Sequence, residues 1–471
     1  MGLMLAAFLF GSKVMDVRQF SSRYAPFAGP PPIRRKRHHR LLFLAQVFPP
    51  DQAPGCVRTW NITKYLARLG WDITVVTPEP SLWRNADNSD GIATVLERER
   101  VRRIVTDHGW RCLEPNRLKH WDRGIGGIFG GICRVFARHF DVDKGIGWVK
   151  PAYDACSTLS SDEVDLILAT ASPFASFKLA RRLSDKLRRP YVLDYRDPWT
   201  ANPHRARPPR LRTIEAERRL LEGAAAVSIV SPSWGSAIAD TFGVGAKLHV
   251  VTNGYDPEEL SAVQPHEFGH FAIVYTGTFY PPKRVITPVM AALRRLKQRV
   301  NGKGHEWYFH YYGAHENHVR DEAKSFEVLE RVVIHGRVPR REALSAVRGA
   351  GIAVVITSAI QEAAREDQGI VTGKIFEALG LGTPILLVAP PDSDAAHILQ
   401  HAGQGSAFTG SDIEGITGFL SDLIQGRALE SREPAPYSWR NVVTRLDAIL
   451  REAIGTSSVK LEENVYEHAH G

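Results

Sequence analysis

Cysteine is scarce in this sequence. The 471 residues include four cysteines, and none stands in a CxxC pair or in another spacing typical of a metal site. The pattern gives no support to a disulfide framework of the kind that small secreted proteins use. A reduced, cytoplasmic setting is the simplest expectation, and no metal site is predicted. The four positions are Cys56, Cys112, Cys133 and Cys156.

Long apolar runs are also missing. The apolar stretch at residues 3–10 is far shorter than the roughly 20 residues that a membrane-spanning helix requires. No basic residue precedes this stretch, which argues against a secretory signal. The prolines of "APFAGPPP" then exclude a regular helix or a central strand. We therefore expect residues 1–37 to form a disordered leader.

Acidic residues are fewer than basic ones, 51 against 60, which gives a formal net charge of +9. This balance favours an anionic partner such as a nucleotide, a nucleic acid, an anionic lipid or an acidic glycan. No recognisable RNA or DNA motif accompanies the charge, so no nucleic-acid partner is expected. Basic runs lie at 34–40, 181–189 and 204–212. A solvated face is the commoner explanation of such runs, but docking at an anionic membrane surface is a second hypothesis.

The chain is rich in short apolar runs that alternate with longer amphipathic segments, starting at Leu41. This alternation predicts parallel strands linked by crossover helices, so the fold class is α/β. The length exceeds one ordinary core, and the pattern restarts after the turn-forming pair Asn253-Gly254. We therefore predict Rossmann-like domains at residues 38–255 and 256–456, with the final helix able to return to the first. A polar tail, 457–471, is expected to be disordered.

The stretch "TGKIFEALG" places Thr372, Gly373 and Lys374 directly before a predicted helix. A helix start offers unpaired N–H groups, the glycine admits a phosphate, and the lysine adds a full charge. Glu377 lies one turn further on, where its carboxylate can accept hydrogen bonds from a sugar diol. A capped surface helix with an exposed lysine is the alternative interpretation.

Two further strand ends carry chemical groups. "YTGTFYPPKR" ends a strand at Gly277 and Thr278, and cations follow at Lys283 and Arg284. Such a glycine with cations nearby suits phosphate binding, although basic loop residues are common in any protein.

"LDYRDPW" gathers Asp194, Arg196 and Asp197 at the end of another strand. Ligands of open α/β sheets bind beyond the carboxyl ends of the strands. The carboxylates can therefore act on a hydroxyl and Arg196 on a phosphate, while an internal Asp–Arg ion pair explains the pattern equally well.

Another glycine-rich run, "RGIGGIFGG" at residues 123–131, follows no clear strand. We interpret this run as a flexible loop or a loosely packed helix rather than a phosphate loop.

The order and spacing of these pieces resemble a GT-B glycosyltransferase, specifically a retaining enzyme of glycosyltransferase family four. The resemblance extends from Leu41 to about Ile454. It includes "QVFPPDQAPGCVRTWNITKYLARLGWDITVVT", "YVLDYRDPW", "VVTNGYD", "YTGTFY" and "GKIFEALGLGTPIL". The fold that it implies is a pair of Rossmann-like domains facing a central cleft.

The resemblance implies that the second domain binds a nucleotide-diphosphate sugar as donor substrate, with no separate cofactor. Glu377 would contact the ribose, Lys374 and the helix start the diphosphate, and Lys283 or Arg284 would supply a loop cation. The backbone around Arg337 and Val338 would meet the base. The acceptor would lie beside the loop at Pro54 and Gly55. No metal is then needed, and "PDSD" at 391–394 reads as an ordinary turn.

The sequence departs from the family pattern at three positions. The first of two glutamates spaced eight apart falls on Gly369, and the nearby Glu366 and Asp367 are the candidates to replace it. Relatives often have His-Asp where Arg196-Asp197 stands, and a common arginine is replaced by Thr278.

The implied function is transfer of a hexose, with retention of configuration, to a glycan or lipid-linked hydroxyl in cell-envelope or extracellular polysaccharide synthesis. The expected location is the cytoplasm, with a peripheral position at the inner membrane face as a further hypothesis. A nucleotide-sugar epimerase of the same fold and a non-catalytic nucleotide-sugar or glycan-binding protein remain alternatives.

Overall fold

A computed structural model describes residues 38–51, 53–82, 96–109, 124–205, 207–299, 306–360, 364–427 and 434–469. The predicted leader, residues 1–37, and Cys112 lie outside the described residues. Cys56, Cys133 and Cys156 form no disulfide within the described part of the chain.

The first sheet has seven parallel strands in the order β3-β2-β1-β4-β5-β6-β7. Its central strands are almost wholly apolar because helices cover both faces of the sheet. The edge strand β3 lies in a stretch where the periodicity gave no clear signal. The strands are β1 (His39–Leu44), β2 (Trp71–Pro78), β3 (Arg102–Thr106), β4 (Leu166–Ala171), β5 (Tyr191–Tyr195), β6 (Ala226–Ile229) and β7 (Leu248–Val250).

Helices connect these strands and pack on both faces of the sheet. The glycine-rich run forms the first half of helix α2, which agrees with the helical alternative for that run. The helices are α1 (Gly55–Arg68), α2 (Gly124–His139), α3 (Val149–Ala155), α4 (Ala175–Leu187), α5 (Leu211–Gly223) and α6 (Pro232–Phe242). We call the first sheet and these helices the first lobe.

The second sheet has six parallel strands in the order β10-β9-β8-β11-β12-β13. The strands are β8 (Phe271–Thr276), β9 (Trp307–Tyr312), β10 (Val332–Gly336), β11 (Ile352–Ile356), β12 (Ile385–Val388) and β13 (Gly405–Phe408). The associated helices are α7 (Pro257–Ser261), α8 (Thr287–Arg299), α9 (Glu316–Ser325), α10 (Arg340–Gly349), α11 (Arg365–Gln368), α12 (Gly373–Leu381), α13 (Asp394–Ala402) and α14 (Ile413–Ile424). We call this sheet and its helices the second lobe.

Both strand orders are those of a Rossmann fold, in which the order reverses beside the first strand. The reversal lies between β1 and β4 in the first sheet and between β8 and β11 in the second. The predicted fold class, α/β with two doubly wound parallel sheets, is therefore confirmed. Ligands bind at such reversals, beyond the carboxyl ends of the strands.

The two lobes contact each other through helix α6. The backbone N–H and the hydroxyl of Ser233 donate to the Asp394 carboxylate at 2.9 and 2.8 Å. The indole of Trp234 donates to the carbonyl of Glu366 at 2.7 Å. These hydrogen bonds join residues that follow β6 in the first sheet to residues that follow β11 and β12 in the second.

The last helix, α15 (Trp439–Ala469), packs on the first lobe. Trp439, Val442 and Leu446 are buried in the same apolar cluster as Leu41 and Phe43 of β1. The helix continues to Ala469, so a disordered tail from residue 457 is not what the structure shows. The stretch "VKLEENVYEHA" contains several strong helix formers, which explains why the helix continues.

Candidate active site

The strongest candidate residues lie where strand β8 meets helix α12. Gly277 directly follows β8 and has a φ of +129°, which L side chains rarely adopt. A Cβ placed on Gly277 would stand 2.4 Å from Cε and 2.9 Å from Nζ of Lys374. The glycine therefore leaves the space in which the lysine lies. The structure brings together two residues that the sequence suggested separately.

The Lys374 ammonium has no hydrogen-bond or ion-pair partner among the described residues. Burial lowers the pKa of this ammonium, while Glu377 acts in the opposite direction. A cation that is removed from water and lacks a partner is costly. An anionic ligand at this position would relieve that cost.

The N-terminus of helix α12 faces open space beside this lysine. Thr372 is the cap residue with φ −86° and ψ 145°, and its side chain makes no capping hydrogen bond. Gly373 is exposed, and no atom lies within 4 Å of a Cβ built on it. The helix start therefore presents uncovered N–H groups, which suit a phosphate.

The two loop cations have different environments. Lys283 donates to the Asp367 carboxylate at 2.6 Å and to the Pro203 carbonyl at 2.9 Å, so its charge is largely balanced. Arg284 lies over the Tyr280 ring at 5.3 Å, and its buried Nε has no partner among the described residues. Arg284 is therefore the better placed of the two to bind an added anion.

Glu377 accepts a hydrogen bond from Arg340 at 2.5 Å through its Oε1 atom. Burial opposes the charge of Arg340, but Glu377 and Glu259 together raise the pKa of its guanidinium. Oε2 of Glu377 has no partner among the described residues, so one oxygen remains for a sugar diol. Arg337, which is exposed, and Val338 lie in the short connection between β10 and α10.

The backbone groups around Gly277 form hydrogen bonds within the protein. Its N–H donates to the Tyr312 carbonyl at 2.8 Å, and its carbonyl accepts from the Tyr311 hydroxyl at 2.9 Å. The Thr278 carbonyl accepts from the Tyr275 hydroxyl at 3.3 Å. These bonds hold the turn in place, so a ligand would meet Thr278 through other atoms.

Asp194 is structural, which corrects the expectation that it acts on a hydroxyl. Its fully buried carboxylate pairs with Arg58 at 2.6 and 3.0 Å and accepts from Thr170 and Ser228 at 2.8 Å. Burial by itself would raise the pKa of the Asp194 carboxyl, but Arg58 and the two hydroxyls hold it below its usual value. The alternative of an internal ion pair was right, although the partner is Arg58 rather than Arg196.

Arg196 and Asp197 directly follow strand β5, at the carboxyl edge of the first sheet. Arg196 donates through Nε to the Ala171 carbonyl at 3.0 Å, and burial lowers the pKa of its guanidinium. Its Nη1 atom lies 1.6 Å from a Cβ built on Gly55, so a larger residue at the start of α1 would require the guanidinium to move. Asp197 has no hydrogen-bond partner among the described residues, and burial raises the pKa of its carboxyl.

His204 is a site residue that the sequence analysis missed. Burial, followed by the nearby charges of Lys283 and Arg284, lowers the pKa of its imidazole, while Asp197 and Asp367 act in the opposite direction. The imidazole therefore lies among groups from both lobes. The sequence offered only a weak signal, because His204 stands within a basic run that looks like a solvated face.

Asp367 binds the loop cation Lys283 through its side chain, whereas the contact of Glu366 with Trp234 is made by its carbonyl. Asp367 is 2% exposed and binds Lys283. At Gly369, where relatives have their first glutamate, a Cβ would stand 2.3 Å from the Trp234 ring. Trp234 thus occupies the space that a larger side chain would need.

The "PDSD" turn of the second lobe forms hydrogen bonds with the first lobe. Asp394 is 5% exposed and accepts hydrogen bonds from Ser233, which agrees with a structural role for this motif. Within the described residues, no group of three or more His, Cys, Asp or Glu side chains has a metal-binding arrangement.

Comparison with known proteins adds a family to this geometry. Residues 56–254 match the family described as glycosyl transferase 4-like domain. The first lobe is therefore similar to glycosyl transferase 4-like domains. The match begins directly after Gly55, it covers the Arg196–Asp197 strand end and His204, and it confirms the resemblance to GT-B glycosyltransferases.

Solved structures with the GT-B fold superpose on nearly the whole chain. Sucrose-phosphate synthase from Thermosynechococcus elongatus has a TM-score of 0.56 and 15% identity, covering 92% of this chain and 100% of its own. HepE from Anabaena, in complex with UDP and glucose, has a TM-score of 0.51 and 14% identity, covering 91% and 100%.

A putative UDP-N-acetylglucosamine 2-epimerase from Listeria monocytogenes also superposes, with a TM-score of 0.52, 12% identity, and coverage of 90% and 98%. At such identities these likenesses establish the fold, and the domain match supports glycosyl transfer. A search of curated protein sequences finds no match to this chain.

Proposed function

We propose that this protein is a retaining, metal-independent glycosyltransferase that moves a hexose from a nucleotide-diphosphate sugar to a hydroxyl of a glycan or lipid-linked acceptor. The proposed location is the cytoplasm. The proposed role is in the synthesis of a cell-envelope or extracellular polysaccharide. The observation that carries the proposal is the unpaired Lys374 ammonium, which lies against Gly277 at the open start of α12.

The donor diphosphate would bind to Lys374, to Arg284 and to the N–H groups at the helix start. A lysine and an arginine supply two positive charges, and the helix terminus adds about half of one more. Charge-assisted hydrogen bonds from such donors are about twice as strong as neutral ones. This set neutralises a diphosphate without further help.

The same groups would stabilise the leaving diphosphate during transfer. The bond between the anomeric carbon and the phosphate oxygen breaks, and the acceptor oxygen bonds to that carbon on the same face. The acceptor proton moves to the departing phosphate oxygen. The protein contributes orientation and preorganised positive charge, which usually provide the largest share of catalysis.

Other residues would hold the two sugars. Glu377 can accept hydrogen bonds from the ribose through Oε2, because Arg340 occupies only Oε1. Asp197 and Arg196 face the cleft from the first lobe, where the acceptor and the transferred sugar would meet. Asp367 takes the place of the absent first glutamate, and its bond with Lys283 fixes its orientation.

A screen of nucleoside diphosphates and nucleotide sugars by thermal shift tests the donor site, because a ligand stabilises the folded state that binds it. Lys374→Ala and Glu377→Ala are expected to lose the shift, and the exposed Lys324→Ala serves as control. Near-normal binding and transfer by both variants would contradict this site.

Two rival functions make different predictions. An epimerase, the activity given for the Listeria neighbour, converts the donor without an acceptor. A binding protein, which the loss of the first glutamate at Gly369 would suit, retains the donor unchanged. Product analysis with donor alone, and then with a panel of acceptors, separates these outcomes from glycosyl transfer.

A further inference from the structure

One face of helix α2 is apolar and exposed. Ile132, Val135 and Phe136 have exposed fractions of 63%, 69% and 57%. Val135, Phe136 and His139 follow Ile132 by three, four and seven residues, which places all four side chains on one side of the helix. These side chains and Phe140 line a shallow depression. Apolar side chains of this size are normally exposed singly, not in a cluster.

The start of helix α5 extends this surface. Leu211 is 84% exposed and stands between Arg210 and Arg212. The guanidinium carbons of these two arginines lie 5.4 and 5.7 Å from the centre of the Phe140 ring. Arg210 also donates to the His139 carbonyl, which joins the end of α2 to the start of α5.

We call Ile132, Val135, Phe136 and Leu211, with the surrounding arginines, the α2–α5 patch. Its four apolar members are the most exposed large hydrophobic side chains of the described residues. The others lie on distant elements, at Leu69, Val105, Tyr280 and Val333. The exposure is therefore concentrated at one place.

The rim of the patch is positively charged. Arg138, Arg207, Arg210 and Arg212 are all exposed. The carboxylate of Asp141 is neutralised by Arg205 at 2.6 Å and accepts from the Thr213 hydroxyl at 2.6 Å. The patch thus combines a protruding apolar centre with unbalanced positive charge.

We propose that the α2–α5 patch docks on an anionic lipid bilayer, with the apolar side chains in the headgroup region and the arginines on lipid phosphates. An apolar face flanked by basic residues is the pattern of interfacial helices. Arginines near an anionic leaflet are attracted by its negative surface potential. No helix in the described part of the chain has the length and apolar character needed to cross a bilayer.

The patch is connected to the cleft by two consecutive residues. Arg205 binds Asp141, two residues after the end of α2, and His204 lies among the cleft charges of Asp197, Lys283 and Arg284. A protein docked through this patch would hold the acceptor side of its cleft near the membrane surface. This consequence rests on the proposed function and favours a lipid-linked acceptor, whereas the docking itself does not depend on it.

Cosedimentation of the full chain with vesicles tests the docking. We expect binding to vesicles of phosphatidylcholine mixed with phosphatidylglycerol, and little binding to phosphatidylcholine alone. The double variant Val135→Ser/Phe136→Ser should partition about tenfold more weakly, because it loses the apolar burial. Arg212→Gln should weaken binding to anionic vesicles and reduce its dependence on salt concentration.

Matched controls use similar side chains elsewhere. Val105→Ser and Val333→Ser remove exposed apolar groups, and Arg320→Gln removes an exposed charge, so all three should bind vesicles as the unaltered chain does. Thermal unfolding and the shift caused by a nucleoside diphosphate establish that each variant is folded. Retained donor binding separates a failure of docking from a failure of the proposed function.

Three results would overturn the proposal. The double variant could bind vesicles normally, or binding could be indifferent to lipid charge. Binding could instead be lost with Phe8→Ser/Phe10→Ser while the α2–α5 variants retain it, which would assign docking to residues 1–37. Lipid-independent self-association that Phe136→Ser abolishes would identify the patch as an interface with a second copy.

Discussion

The side chain of Lys374 occupies the space beside Gly277 that any other residue would fill with its own Cβ. The Gly277 φ of +129° and the 2.4 Å separation between a built Cβ and Lys374 Cε make this glycine doubly constrained. A residue after strand β8 therefore controls the position of a cation on helix α12. The predictions below start from this pair and continue to the rest of the site.

Gly277→Ala should displace Lys374 and weaken binding of the best nucleoside diphosphate. Loss of one charge-assisted hydrogen bond, worth about 1.5–3 kcal/mol, corresponds to about a ten- to hundredfold weaker affinity. Isothermal titration calorimetry measures this change. Gly382→Ala is the control, because Gly382 has a φ of +74° but no atom within 4 Å of its added Cβ. Equal loss of affinity in both variants would argue that strain, not Lys374, is responsible.

Binding of the diphosphate should weaken as the pH rises into the alkaline range. Burial lowers the pKa of Lys374, so this lysine loses its charge at a lower pH than an ordinary lysine does. The ligand favours the charged form, so binding near that pH takes up protons. Calorimetry in buffers of different ionisation enthalpy detects this uptake. Lys374→Arg should remove the dependence, since arginine stays protonated; a persistent dependence would assign it to another group.

Asp367→Asn should reduce transfer more than Glu366→Gln does. Asp367 holds Lys283 at 2.6 Å in the cleft, whereas Glu366 contacts Trp234 only through its carbonyl. We expect a loss of at least about tenfold for the first variant and a change within about twofold for the second. Initial rates and urea unfolding distinguish catalysis from stability. The opposite ranking would restore Glu366 as the substitute for the missing glutamate.

Asp194→Ala should unfold the protein more readily rather than disable a folded enzyme. Removing one partner of a buried ion pair typically costs about 3–5 kcal/mol of unfolding free energy. Asp185→Ala removes the exposed pair with Arg181, which should cost less than about 1 kcal/mol. Urea unfolding curves measure both changes. Unchanged stability with abolished transfer would return Asp194 to the catalytic residues.

A group of contacting histidines in the second lobe should make the stability of the fold sensitive to acid. His310 contacts His270 at 2.8 Å and His335 at 2.9 Å. Burial, followed by the nearby His335, His270 and His266, lowers the pKa of His310 to about 3. Below the ordinary histidine pKa of about 6.5, the unfolded state takes up a proton that the folded state rejects.

The free energy of unfolding should therefore fall as the pH decreases from about 6.5, by about 1.4 kcal/mol per pH unit for His310. His310→Gln should flatten this slope. His397→Gln alters a histidine that does not belong to this group and should leave the slope unchanged. Urea unfolding at several pH values measures the slopes. A slope that His310→Gln does not alter would contradict the assignment.

The sequence by itself predicted the two doubly wound sheets. Apolar runs and helical periodicity are local patterns, and they identify the strands and helices from which such sheets are built. It also predicted Gly277 and Lys374 one by one, since a glycine after a strand and a lysine at a helix start are local signals. The extension of α15 beyond residue 457 was missed, although its residues favour a helix.

Only the tertiary structure decided which side chains meet. Asp194 pairs with Arg58, 136 residues away, and Trp234 fills the space beside Gly369 that a glutamate would otherwise use. His204 reaches the cleft charges although its neighbours in sequence are basic surface residues. Such pairings depend on the closure of the sheets and on the approach of the two lobes. No local propensity encodes them, because the free energy of each contact exists only when distant segments are brought together.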